Sequence, residues 1–143
     1  MQLSTKTRYS LRALAELGER QDSEPVQLKY IAKKQELPIK YLEAIFNTLK
    51  KNGIVKSVRG ANGGYLINKD TEKIKILDIV EIFEGKLKIV HCKDDNCSKM
   101  ASCPTYNIYN EISNQFRYVL NSYSLKNIID QNSKNNKNLN YSI

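Results

Sequence analysis

Arg59-Gly60-Ala61-Asn62-Gly63-Gly64-Tyr65 decides how this chain is read, together with Tyr41-Leu42-Glu43-Ala44-Ile45-Phe46 before it. The earlier stretch belongs to an amphipathic helix expected over 38–52. At about 100° per residue, Leu42, Ile45, Phe46 and Leu49 share one side. Lys40, Glu43, Ala44, Asn47, Lys50 and Lys51 share the other. Pro38 fits the first turn, where its missing N–H is not needed. Gly53 is the expected left-handed stop. The later stretch is a glycine-rich turn between two β-like runs, 54–58 and 65–67, which makes a hairpin. A helix followed at once by a basic hairpin has the layout of a winged helix-turn-helix. There the helix enters a major groove and the wing touches the minor groove beside it.

Working outward, residues 5–20 read as a helix capped by Ser4 or Thr5, with Leu11, Leu14, Ala15 and Gly18 on one face. A short helix spans 28–34, and 35–37 form the turn. After a polar connector at 68–75, a helix over 76–84 turns Leu77, Val80, Ile82 and Phe83 inward and stops at Gly85. A loop over 86–103 carries every cysteine of the chain. Pro104 then opens a helix to about residue 121. Its Tyr109, Ile112, Phe116, Val119 and Tyr123 recur at 3, 4, 3, 4, a two-heptad seam. Such a helix could lie on its own domain, but a chain this small has little surface to cover it, so the seam predicts a homodimer. Ser124 caps a last short helix over 125–130. The Asn/Lys/Ser-rich stretch 131–143 is expected to be disordered. The expected fold is mainly α with a small β-hairpin wing. A winged helix-turn-helix domain (1–75) leads into a connecting helix and cysteine loop (76–103), a dimerisation helix with a short final helix (104–130), and the tail.

Charge is distributed unevenly. Residues 1–75 hold 15 Lys/Arg against 8 Asp/Glu, a surplus of seven; residues 76–143 hold 8 against 7, a surplus of one. A basic half joined to a neutral half points to a polyanionic partner, here double-stranded DNA. No apolar run approaches the roughly 20 residues needed to span a bilayer, and the N-terminus lacks the hydrophobic stretch of a signal peptide. The expectation is a cytoplasmic protein with no membrane partner. Its three cysteines then stay reduced, and an odd count argues further against a structural disulfide.

The DNA-facing set read from the sequence is Lys29, Lys40, Tyr41, Glu43, Ala44 and Asn47, with Arg59, Gly60, Gly63 and Gly64 in the wing. Lys40 and Asn47 can donate to base edges or phosphates. Glu43 is costly beside DNA unless it accepts from cytosine N4, which would make it a specificity device; paired with Lys40 or Asn47 it would be an ordinary surface acid. Arg59 suits a narrow minor groove. The three glycines allow positive φ and a close approach of the backbone to phosphate. A nucleotide-binding loop fits less well, because no Lys-Ser/Thr follows and the loop leads into a strand. With no paired acid and base, nucleophile motif or dinucleotide fingerprint, the chain does not read as an enzyme.

Cys92, Cys97 and Cys103 are separated by four and five residues on a polar loop. Thiolates suit iron–sulfur clusters, zinc and copper(I). Only the first gap matches the two to four residues usual within a zinc pair, so an iron–sulfur cluster leads, with zinc or metal-free redox thiols as alternatives. The 2Fe–2S form is preferred to 4Fe–4S.

These residues together resemble the IscR/NsrR family of bacterial winged-helix regulators over about residues 1–130. The resemblance is carried by Leu3-Ser4-Thr5-Lys6 with Arg8-Tyr9, by Tyr41-Leu42-Glu43, and by Lys51-Asn52-Gly53. Val58-Arg59-Gly60 with Gly63-Gly64-Tyr65 and the three-cysteine loop before a long helix complete it. It implies a homodimer with crossed long helices on a palindromic operator, read through Lys40, Tyr41, Glu43, Ala44 and Arg59. It also implies an iron–sulfur cluster on the loop cysteines in cluster-binding members. Ala44 stands where related sequences often carry glutamine, which bears on the operator sequence. A fourth ligand is not supplied in either familiar way: Tyr106 stands where the IscR type has histidine, and Arg8 where the NsrR type has aspartate. His91, Asp94, Asp95, Tyr106 or a solvent ligand remain candidates. The implied function is a transcription regulator, a repressor, governed by the cluster. Sensing by thiols, zinc or a partner protein is the alternative, and an iron–sulfur electron carrier is the alternative of another class.

Overall fold

The computed structural model describes residues 2–20, 24–92 and 96–141. Among them the order is α1 (Thr5–Arg20), α2 (Leu28–Gln35), α3 (Ile39–Lys51), β1 (Val55–Val58), β2 (Gly64–Ile67), α4 (Ile76–Glu84), α5 (Tyr106–Ser122) and α6 (Leu125–Tyr141). A short 3-10 turn, Met100–Ser102, precedes α5.

Local chemistry sets these boundaries. Ser4 caps α1, its Oγ accepting from the Thr7 N–H at 3.3 Å. After α2, Glu36 takes a left-handed φ of 54°, and the Leu37 N–H reaches back to the Ala32 carbonyl at 2.9 Å. This turn drops Leu37 into the core just before α3 begins. As expected, α3 buries Leu42, Ile45, Phe46 and Leu49. Its end is a Schellman cap. Gly53, at φ 72°, donates to the Lys50 carbonyl, and Ile54 donates to that of Leu49, both at 3.0 Å.

β1 and β2 pair antiparallel, with Val55 opposite Ile67 and Val58 opposite Gly64. Val26, ahead of α2, exchanges two backbone hydrogen bonds with Tyr65 at 2.9 and 2.8 Å and so ties the hairpin to the helix-turn-helix. The core beneath joins Leu14 and Leu17 of α1, Ile31 of α2, the α3 stripe, Val55, Ile67, Ile79 of α4 and Leu125 of α6. A smaller cluster of Ile76, Val80 and Leu87 packs with Leu120 and Ile128 under α5 and α6.

Residues 74–76 and 123–125 clip the two halves together. Ile76 donates to the Tyr123 carbonyl at 3.0 Å, and Leu125 to that of Ile74 at 2.8 Å. This aims α6 back along α1. The helices cross at Gly18, where a Cβ would lie 2.2 Å from Ile129 Cδ1.

Two expectations need correction. The last helix does not stop near residue 130. It continues to Tyr141, so most of the stretch expected to be disordered is helical; residues 142 and 143 lie outside the described residues. The cause is a partner far away in sequence. Asn132 donates to Glu16 at 3.3 Å and to Glu19 at 2.5 Å, and Asn136 donates to Glu19 at 2.8 Å. The long helix also begins two residues after Pro104, at Tyr106, with the Tyr109 N–H donating to the Thr105 carbonyl. Among the described residues no helix is long and apolar enough to cross a membrane.

Candidate nucleic-acid interface and thiol loop

The outer face of α3 presents Lys40, Glu43, Ala44 and Asn47 to solvent. None of the three polar ones makes a hydrogen bond or ion pair with a described residue, so Glu43 is not neutralised by Lys40 or Asn47. Tyr41 is half-buried, its ring edge-on to Tyr9 at 5.7 Å and 85°, which fixes the start of α3 against α1. Lys29 is exposed in the first turn of α2. Lys29, Lys40 and Arg59 therefore stand in solvent without internal carboxylate partners.

In the wing, Arg59 and Gly60 are exposed at the tip. Gly60 has φ 113° with open space around it, as close backbone approach to a phosphate requires. The other two glycines are held by close backbone neighbours. Gly63 is buried and does not take positive φ; it donates to the Gly60 carbonyl at 3.0 Å, and a Cβ there would lie 2.2 Å from the Val58 oxygen. Gly64, at φ 153°, leaves room for Val26, whose oxygen would be 2.4 Å from a Cβ. They shape the hairpin and dock it.

The thiol loop hangs from a braced stem. Leu87 N–H donates to Glu81 of α4 at 3.2 Å, and Glu81 pairs with Arg117 of α5. Ile89 N–H donates to the Ser113 hydroxyl at 3.0 Å, and that hydroxyl donates to the Tyr109 carbonyl at 2.8 Å. Ser113 is the one buried residue of α5. Beyond the stem, Cys92 is exposed and Cys97 and Cys103 are half-buried, all as free thiols. Cys92, Cys103 and Tyr106 line one small cleft with Tyr109 and Ser113; Cys97 and His91 are not among its lining. The Thr105 hydroxyl, 3.4 Å from Cys103 Sγ, holds that thiol below its ordinary value, helped by the Thr105 backbone. Among the described residues no three His, Cys, Asp or Glu side chains converge closely enough to hold a metal ion. Asp94 and Asp95 lie outside the described residues. Arg8 spends its guanidinium on the Thr5 hydroxyl at 3.3 Å. The donor chemistry fits a thiophilic group: two thiols and a phenol already share one cleft.

On α5 the apolar stripe is open. Ile108, Ile112, Phe116, Val119 and Tyr123 are all exposed, Phe116 at 45%. Tyr109, expected in this seam, instead turns toward the thiol cleft, and Ile108 takes its place on the open face.

Residues 3–131 match the family model Rrf2, described as an iron-dependent transcriptional regulator. The chain belongs to the Rrf2 family. It is 30% identical over 131 residues to the HTH-type transcriptional regulator IscR of Photorhabdus laumondii, covering 91% of this chain and 80% of that one. Among solved structures it is similar to CymR, the global cysteine regulator of B. subtilis, with a TM-score of 0.79 and 31% identity over 92% of this chain and 98% of that one. It is also similar to T. potens IscR, with a TM-score of 0.74 and 33% identity over 92% and 88% of the two chains. As an Rrf2 protein it is a DNA-binding transcriptional regulator, not an enzyme. Its fold is the Rrf2 winged helix-turn-helix with C-terminal helices.

Sequence reasoning missed Glu81, Ser113 and Arg117, which brace the loop of this Rrf2 chain, because ordinary polar residues on exposed helices carry no local signal. Glu16 did carry one. An acid between Ala15 and Leu17 on an otherwise apolar face needs a partner, and it is found in Gln35 at 2.9 Å.

Proposed function

We propose that this chain is a cytoplasmic, homodimeric repressor whose affinity for a palindromic operator is set by an iron–sulfur cluster, in the 2Fe–2S form, on Cys92, Cys97 and Cys103. The observation that carries the reading is the shared cleft of Cys92, Cys103 and Tyr106 at the start of α5. Tyr106 and His91 are the candidates for a fourth ligand. The cluster, when bound, supplies a redox-responsive and labile group. The protein's part is to hold it through thiolates and to couple the loop to α5 through Ser113 and the Glu81–Arg117 pair. Ile108, Ile112, Phe116, Val119 and Tyr123 form the dimer seam, so a loop that repositions α5 resets the spacing of the two α3 helices. Lys29, Lys40, Tyr41, Glu43, Ala44 and Asn47 meet the operator, with Arg59 and Gly60 at the wing tip. Gly63 and Gly64 support that tip from behind.

A second reading keeps the DNA binding and replaces the cluster by thiol oxidation. It is favoured by one observation: the three cysteines do not converge, while Cys92 and Cys103 share a cleft. Anaerobic purification with a visible spectrum and iron, sulfide and zinc analysis separates the two. Matching iron and sulfide, with operator affinity that changes when the cluster is stripped, supports the first reading. A colourless protein after reconstitution removes it; zinc or a reversible Cys92–Cys103 disulfide then takes its place.

A further inference from the structure

The Rrf2 match ends at residue 131, yet α6 runs ten residues further and walls a cavity of about 470 Å³ against α1 and α2. One side of this cavity is acidic. Among the described residues, Glu16, 3% exposed, accepts from the amides of Gln35 and Asn132 alone. Among the described residues, Glu19 accepts from the amides of Asn132 and Asn136 alone. No described Lys or Arg forms an ion pair with either carboxylate. A nearly buried carboxylate with no cation is uncommon, because burial strips it of water that amides replace in part. The same lining also carries two basic side chains. Arg20 stacks over Tyr30 at 4.0 Å and donates to its hydroxyl at 2.9 Å; Lys34 is exposed and pairs with no described acid. Acidic and basic side chains thus line one space of small-molecule size.

We propose that this cavity binds a small zwitterion of the α-amino-acid class. Its ammonium group sits between Glu16 and Glu19, and its carboxylate lies against Arg20 and Lys34. The hydrogen bond that Glu16 accepts from Gln35 leads out of the site toward the end of α2. Gln35, which donates to Glu16, also accepts from Arg12 Nε at 3.2 Å, and its own carbonyl accepts from Arg12 at 2.5 Å. Gln35 is the last residue of α2, next to the Glu36 turn that aims α3. Occupancy therefore acts on the setting of the recognition helix, a claim that rests on the DNA-binding reading above.

Calorimetry of the full chain, without DNA, tests the site by itself. The probes are glycine, L-serine, L-leucine and L-glutamine, each against its N-acetyl and amide forms, and 1,4-diaminobutane. At least one free amino acid should bind saturably, one per chain. Acetylation, amidation, Glu19→Gln and Lys34→Ala should each weaken it about tenfold or more, the effect of losing one charged hydrogen bond. Lys34→Ala removes an exposed side chain and serves if Glu19→Gln disturbs folding. No saturable binding at millimolar concentration, equal binding of the diamine, or unchanged affinity in both variants overturns the proposal. A second arm measures operator affinity with and without the bound amino acid. A shift supports the coupling through Gln35; an unchanged value overturns the coupling and leaves the calorimetric result to decide the site.

Discussion

The Phe46 ring meets the Tyr65 ring edge-on at 5.0 Å, joining the recognition helix to the second strand of the wing. Phe46 is fully buried, so α3 and the hairpin are fixed to one another through the core and not across the exposed loop. Phe46→Ala should cost about 3–5 kcal/mol, the range for deleting a buried aromatic. Chemical denaturation of the purified protein measures it. A loss below about 1 kcal/mol would mean the pair is peripheral to the fold.

Gly64→Ala should be worse than Gly60→Ala. Both positions have positive φ, but only at Gly64 would the added methyl strike Val26 backbone. Gly60→Ala carries the backbone strain alone, of order 1–3 kcal/mol. Thermal unfolding of the two variants side by side should show the larger drop at Gly64. Equal drops would show that the Val26 contact relaxes freely.

Arg59→Ala should weaken operator binding by about tenfold while leaving the unfolding temperature unchanged, since the side chain has no described partner to lose. If Arg59 contacts a phosphate, the salt dependence of binding should also fall by about one charge. If it reads a narrow minor groove, changing the bases there should erase the effect. A variant that binds as well as wild type would move the wing off the DNA.

Phe116→Glu should convert a dimer to a monomer. It places a charge in the middle of the open α5 stripe, where a partner copy would have to desolvate it. Sedimentation velocity reads the result directly. A Phe116→Glu protein that sediments like wild type would exclude α5 as the seam.

Glu84 provides a pH signature. Its carboxylate accepts from the Ser4 N–H at 2.7 Å and from the Thr7 hydroxyl, and these bonds lower its pKa from the ordinary 4.5. The largest cause is the Ser4 side chain, then the Thr7 side chain, with the Ser4 backbone N–H the smallest. A lowered folded pKa means stability that is fully present above pH 4.5 and is lost as pH falls through the lower folded value. The tie joins the start of α1 to the end of α4. Unfolding temperature should fall below pH 4.5 in wild type and fall less steeply in Glu84→Gln. Identical pH profiles for the two proteins would assign the acid sensitivity to other groups.

Much of this architecture is legible in the sequence because it is written in local periodicity. The α3 stripe of Leu42, Ile45, Phe46 and Leu49, the Gly53 cap and the hairpin around Gly60 each follow from neighbours within a few residues. What escaped depends on partners far along the chain. Asn132 and Asn136 look like low-complexity filler until Glu19, more than a hundred residues earlier, lies beside them. Tyr109 fits the 3, 4, 3, 4 spacing better than Ile108 does, and only the thiol cleft on that side, which Tyr109 lines, leaves Ile108 as the exposed one. The glycines show the same limit. Spacing marks a tight turn, but the Val26 backbone at Gly64 is a tertiary fact.

Leu125, at the start of α6, is fully buried in the same core as Leu14, Phe46 and Ile67. The core under the reading head therefore stays open at one side until the last helix has left the ribosome. A chain still being translated, or one cut short before residue 125, presents the α3 face without the packing that holds it in place. The footing of α3 is thus completed by the part of the chain made last among its packing partners, and a fragment without Leu125 lacks it.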